Sequence, residues 1–143
     1  MMNKNDVVAV IMGGPSAERE ISLVTGAAIA GALREKGYNV AEIDLEPKKL
    51  AQQLEECSAK VVFNAVHGMY GEDGRLQTLL EMLEIPYTGS GMLASALSMD
   101  KAASKRIMQA AGIATPKSLI FVKGETHDFC GEILSAFKKM PVV

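Results

Sequence analysis

The chain carries no strong excess of one charge, few cysteines and no long apolar run, and each shortage removes a class of function. Fifteen Lys and Arg stand against 17 Asp and Glu in 143 residues, for a formal charge of −2. The cations are scattered in small groups rather than gathered in the basic stripe that a nucleic-acid backbone requires. Only two cysteines occur, Cys57 and Cys130, far apart and without CxxC or zinc-like spacing. Both are expected to be small buried hydrophobes of a reducing compartment, although a lone pair leaves a disulfide open. The apolar stretch from Val7 to Met12 is too short for a signal core or a membrane span, and Asp6 precedes it. Internal repeats and low-complexity tracts are absent. These shortages lead us to expect a cytoplasmic protein with neither nucleic-acid nor membrane partners, and with enough chain for one core or one domain plus part of another.

Apolar runs alternate with helical periodicity. Val7 to Met12 is continuous and apolar, as in strands covered on both faces. Gly13-Gly14-Pro15-Ser16 breaks it. A helix is predicted between Ser16 and Lys36, with Leu23, Ala27, Ala30 and Leu33 on one stripe and Gly37 ending it. A strand over Val40–Leu45, a weaker helix over Pro47–Ser58 with Leu50 and Leu54 four apart, and a strand over Val61–Val66 follow. Leu76, Leu79, Leu80 and Leu83 fit the next helix, closed by Pro86. This order predicts an α/β fold, an open parallel sheet with flanking helices. Beyond it, Tyr87-Thr88-Gly89 reads as a fourth strand or its exit, Asp100–Ala111 as a helix stopped by Gly112, Ser118–Val122 as a strand, and Asp128–Lys139 as a last helix. Pro141-Val142-Val143 looks like a strand beginning, so the chain reads as truncated; an apolar tail on a complete domain is the alternative.

In an open parallel sheet, ligands sit beyond the carboxyl ends of the strands. Three segments occupy such joints: MGGPSAEREIS, HGMYGEDG and TGSG. With glycines only at 13 and 14, the first offers no GxGxxG, and Pro15 removes an N–H. Asp44 is the single feature favouring a dinucleotide site, and that reading is rejected. By type alone Glu18, Arg19 and Glu20 read as a solvated first turn, with the acids near the positive end of a helix dipole. His67 either hydrogen-bonds a backbone carbonyl or faces a ligand. Glu72 and Asp73 could simply cap a helix.

Taken together, GGPSAEREISLVTGAAIAGAL, VHGMYGEDGRLQTLLEMLEIPYTGSG and SALSMDKAASKRIMQAAGI closely resemble the D-alanine–D-alanine ligases of the ATP-grasp superfamily. The likeness runs from about Val8 to Val122, with the motifs in order. It implies a Rossmann-like substrate-binding domain over residues 1–97 and the truncated beginning of an ATP-grasp domain over 98–143. It also implies ATP-dependent joining of two D-alanines through an acyl phosphate for peptidoglycan synthesis, with Mg²⁺ or Mn²⁺ accompanying ATP, and enzymes of this family often pair as homodimers.

Carried over position by position, the resemblance makes Glu18 the catalytic and substrate-binding carboxylate that holds the ammonium of the first D-alanine. His67 would sit beside that substrate and steady its carboxyl end, and Ile21 would offer its methyl group an apolar wall. Lys101, in Met99-Asp100-Lys101, would contact a nucleotide phosphate; by position alone it reads as a surface helix lysine. The lid serine and tyrosine, the catalytic arginine and the acidic metal ligands of the family would lie beyond Val143, so the chain alone is expected to be inactive. A non-catalytic amino-acid-binding or interaction module of the same fold stays open, as does a ligase using D-lactate or D-serine as second substrate.

Overall fold

The computed structural model describes residues 3–137. Strand β1 (Val7–Met12) lies at the centre of a three-stranded parallel sheet, flanked by β2 (Asn39–Asp44) and β3 (Ala59–Asn64) in the order β2-β1-β3. Val8 pairs with Val40 on one side and Val61 on the other, and a register irregularity between Val7 and Val8 marks the β3 side. Helices α1 (Arg19–Glu35) and α2 (Leu50–Glu56) connect the strands, and α3 (Arg75–Met82) follows β3.

Alternate side chains of β1 point to opposite faces, and each face has its own core. Ala9 and Ile11 pack with Ile43, Leu50, Leu54, Val62, Leu76 and Leu80 under α2 and α3. Val10 and Met12 pack with Ala30 of α1 and with Ala65. The uninterrupted apolar run of β1 thus has the cause inferred from sequence: both of its faces are dry.

The α1 stripe is rotated from the predicted one. Ser22, Gly26 and Ala30 are its buried residues, Leu23 and Leu33 are half-buried, and Ala27 faces solvent. Close approach explains the rotation: a Cβ on Gly26 would collide with the Met12 side chain, so the helix turns its smallest residues to the sheet. Strands β2 and β3 each begin and end one or two residues before their predicted bounds.

The Tyr87 segment contributes one parallel bridge to Val62 rather than a full strand. It is held by the Val62 N–H donating to the Pro86 carbonyl at 2.8 Å and the Thr88 N–H donating to Val62 at 3.0 Å. Helix α4 (Met92–Met99) follows and was not anticipated. Helix α5 (Lys101–Ala110) and α6 (Phe129–Ala136) match two predicted helices, with Asp128 capping the second by accepting from the Gly131 N–H at 3.0 Å. Lys138 and Lys139 of the predicted last helix, and the Pro141–Val143 segment, lie outside the described residues. The predicted strand Ser118–Val122 is irregular: apolar, β-prone residues pair only when another strand is alongside, and none is among the described residues.

Compact packing divides between Lys101 and Ala102. In the second unit, Phe121 meets His127 and Phe129 edge-on, at ring separations of 5.0 and 4.9 Å. Both cysteines are free thiols; Cys57 is partly buried against the core, whereas Cys130 is exposed on α6, contrary to the expectation that both are buried.

Candidate functional site at the carboxyl edge of the sheet

The strand order changes direction between β1 and β3, and the loops leaving these two strands meet there. The loop after β1 turns through left-handed backbone at Gly13 and Gly14, with φ of 70° and 83°. Its anchor is Ser22, buried in α1. The Gly13 N–H donates to Ser22 Oγ at 2.8 Å, and Ser22 Oγ donates in turn to the Ala65 carbonyl at 2.8 Å. One hydroxyl therefore ties the loop after β1 to the chain leaving β3.

Asp44, at the end of β2, is already committed. Arg19 grips it with two parallel hydrogen bonds of 2.7 and 2.5 Å, and the Gly14 N–H donates to it at 3.2 Å. The guanidinium holds the Asp44 carboxyl below the usual carboxylate range, against a smaller opposing effect of burial. The dinucleotide reading thus loses its one supporting residue to the fold.

Ser16 joins the two expected substrate residues. Its Oγ donates to the His67 carbonyl at 3.0 Å and accepts from the Glu18 N–H at 3.2 Å. Glu18 stands immediately before α1, exposed, with Oε1 3.0 Å from where a Cβ on Gly68 would be. Gly68 has φ of +68°, a backbone conformation that favours glycine there. Residues 18 and 67, far apart in sequence, thus share one edge of the sheet.

The His67 imidazole is half-buried. Its Nε2 is 3.2 Å from Thr25 Oγ1 on α1, and its Nδ1 is 3.8 Å from Glu72 Oε1. The loop carrying His67 and Glu72 is pinned from beneath: the Gly71 carbonyl accepts from Asn64 Nδ2 at 2.8 Å and from the buried Gln77 Nε2 at 2.7 Å. Asp73 caps the following turn by accepting from the Tyr70 and Arg75 N–H groups at 3.0 and 3.1 Å. Its role is the capping one that sequence offered as an alternative. A cleft of about 560 Å³ opens over this platform, lined by Thr25, Asn64, His67, Glu72, Gln77 and Ser95, among others. That size falls within the range of small-molecule sites.

Of the predicted site residues His67 alone lines this cleft: Glu18, Ile21 (61% exposed on α1) and Lys101, an exposed residue opening α5, are outside its lining. Sequence reading overlooked Ser22, Thr25, Asn64 and Gln77. All four are uncharged polar residues on regular elements or their ends, where periodicity counts them as gaps. Only the full HGxxGEDGxxQ pattern, which ends on Gln77, hinted at one of them. Among the described residues, no three His, Cys, Asp or Glu side chains gather as metal ligands, and no helix is long and apolar enough to cross a membrane.

Known proteins resemble this chain in sequence and fold. The family model for the D-ala D-ala ligase N-terminus matches residues 44–90. A D-alanine–D-alanine ligase of Syntrophotalea carbinolica is 52% identical over 126 residues, 88% of this chain and 40% of that relative. The crystal structure of D-alanine–D-alanine ligase from Bacillus anthracis superposes with a TM-score of 0.82 at 38% identity, covering 92% of this chain and 43% of that one. The structure of the Bacillus anthracis ligase complexed with ATP gives a TM-score of 0.79 at 39% identity, over 87% and 42% of the two chains. The chain spans about two-fifths of the length of the curated relative it matches. With a fold that superposes on such ligases and about half of its aligned residues identical to a curated relative's, the chain is similar over most of its length to the amino-terminal portion of the D-alanine–D-alanine ligases.

Proposed function

We propose that this chain is the first-substrate half of a D-alanine–D-alanine ligase, with residues 1–97 as the substrate-binding domain and 98–143 as the start of the nucleotide-binding one. The observation that carries the reading is the meeting of Glu18 and the His67 loop through Ser16 at the switch point of the sheet. An amino acid bound there would present its ammonium to the Glu18 carboxylate, with its carboxyl end toward His67. A carboxylate is a poor electrophile at neutral pH, so activation must come first. The carboxylate of the first D-alanine takes the γ-phosphoryl group of ATP, releasing ADP. The amine of the second D-alanine then adds to the acyl phosphate, and phosphate leaves as the amide forms. Catalysis of that sequence is positioning and charge stabilisation, and the pinned His67 loop supplies the positioning. Lys101 would reach a nucleotide phosphate.

The described residues hold no ligand set for Mg²⁺, and no step here is routed through a metal. The 143-residue chain alone is expected to form no dipeptide from ATP, Mg²⁺ and D-alanine. The test is complementation: the complete reading frame that contains this chain, expressed in a bacterium lacking its own ligase, should restore growth without added D-alanyl-D-alanine. Failure of a well-expressed protein to do so, together with no dipeptide in vitro, would overturn the reading and favour a non-catalytic module. In that complete protein, Glu18→Gln should weaken binding of the first D-alanine by about 2–3 kcal/mol, the cost of removing a charged partner in a pocket. Steady-state kinetics that match the parent would show that the ammonium is held elsewhere.

A further inference from the structure

From the hydrogen-bond inventory of one helix side chain we infer that Thr25 is a positioning residue, which turns the Nε2–H of His67 into the fold and leaves Nδ1 facing the cleft. Thr25 Oγ1 has a single proton and two neighbours. It lies 2.9 Å from the Ile21 carbonyl, four residues earlier on α1, and 3.2 Å from His67 Nε2. A carbonyl oxygen only accepts, so the shorter contact takes the hydroxyl proton, in the back-bonded arrangement common for threonine in helices. The hydroxyl then meets the imidazole with a lone pair, and Nε2 must be the nitrogen that carries hydrogen.

The opposite tautomer fits this geometry less well. It would place a proton on Nδ1, where the facing acceptor, Glu72 Oε1, is 3.8 Å away and out of hydrogen-bond reach. It would also set the Nε2 lone pair against the hydroxyl and draw the Thr25 proton from its nearer partner. Ser16 holds the histidine from the other side, through the main-chain carbonyl at 3.0 Å, and this fixes the backbone without reaching the ring. Thr25 is thus the group that orients the imidazole plane, and both residues line the same cleft.

The ring edge available to a ligand is therefore Nδ1, an acceptor while the imidazole is neutral and a donor only once it is protonated. Resting on the ligase reading above, this means that neutral His67 cannot donate to the carboxyl end of the first amino acid. A His67 that steadies that carboxylate must first gain a proton at Nδ1, with Glu72 as its nearest countercharge.

The tautomer is read without any substrate, so its outcome is separate from the fate of the ligase reading. The chain has two histidines, and His127→Gln leaves His67 as the only imidazole. Long-range proton–nitrogen spectra of this variant, labelled with ¹⁵N-histidine and recorded near pH 8.5, above the ordinary histidine range of about 6.5, should show the Nε2–H pattern with an exchange-protected ring proton. Adding Thr25→Val should remove that protection, and Thr25→Ser should retain it. If the valine variant does not fold, as judged by its amide spectrum, Thr25→Ala serves in its place with the same expected loss. An Nδ1–H pattern in the parent would overturn the inference. So would a ring proton equally protected without the residue 25 hydroxyl.

Discussion

Ser22 is fully buried in α1, and its hydroxyl both accepts from Gly13 and donates to Ala65. Removing that oxygen strands an N–H and a carbonyl away from water, so Ser22→Ala should cost about 1–3 kcal/mol of stability. A urea midpoint unchanged by the substitution would show that the two main-chain groups find other partners. Arg19 and Asp44 permit a pH prediction at the same scale. Arg19 holds the Asp44 carboxyl below its ordinary value. Its contribution to stability is therefore complete above the unfolded value near 4, and it fades as pH falls through the lower folded value. Arg19→Gln should move the Asp44 midpoint upward in a carboxyl-carbon titration. Both groups are well exposed, so the stabilisation itself is small. Individual polar residues were the least legible part of the sequence: Glu18 and His67 stand out by type, whereas the partners that hold the site, Ser16 and Thr25 among them, look like ordinary helix-start and helix-surface residues.

Between α3 and α4, Glu81 makes the connection. Its Oε1 accepts from the Tyr87 hydroxyl at 2.6 Å and from the Met92 N–H, at the start of α4, at 3.1 Å. That carboxylate pushes the Tyr87 phenol up to about 12. With the folded value above the unfolded one near 10, the stabilisation is whole below pH 10 and lost as pH rises through about 12. Thermal midpoints should therefore fall less steeply across this alkaline window in Tyr87→Phe than in the parent; identical slopes would refute the coupling. Helix α4 itself escaped the sequence reading because Gly89-Ser90-Gly91 marks a break before it and its buried residue is Ser95, a polar side chain that apolar periodicity counts as a gap. At Ser118–Val122 the error ran the other way, since strand propensity without a neighbouring strand is no strand.

Over the whole molecule, the buried hydrophobics of the described residues all fall between Val8 and Leu80, and neither α5 nor α6 has a buried residue. Native-state hydrogen exchange should accordingly find the slowest amides in β1, paired on both sides, and the fastest helical amides in α5 and α6. Strong protection in α6 would contradict this ranking. The parallel α/β class was legible because β1 is apolar at every position and the helices alternate with the strands. The order β2-β1-β3 was not, because it depends on which face each crossover takes, and that is settled by packing far along the chain.

The Ser22 hydroxyl has a consequence for how the cleft forms. Since one atom bridges the exits of the first and third strands, the distance between the two loops is fixed during folding and owes nothing to a bound guest. A guest arriving beside them finds these two strand exits already tied together, so the entropy of ordering them is not subtracted from its affinity.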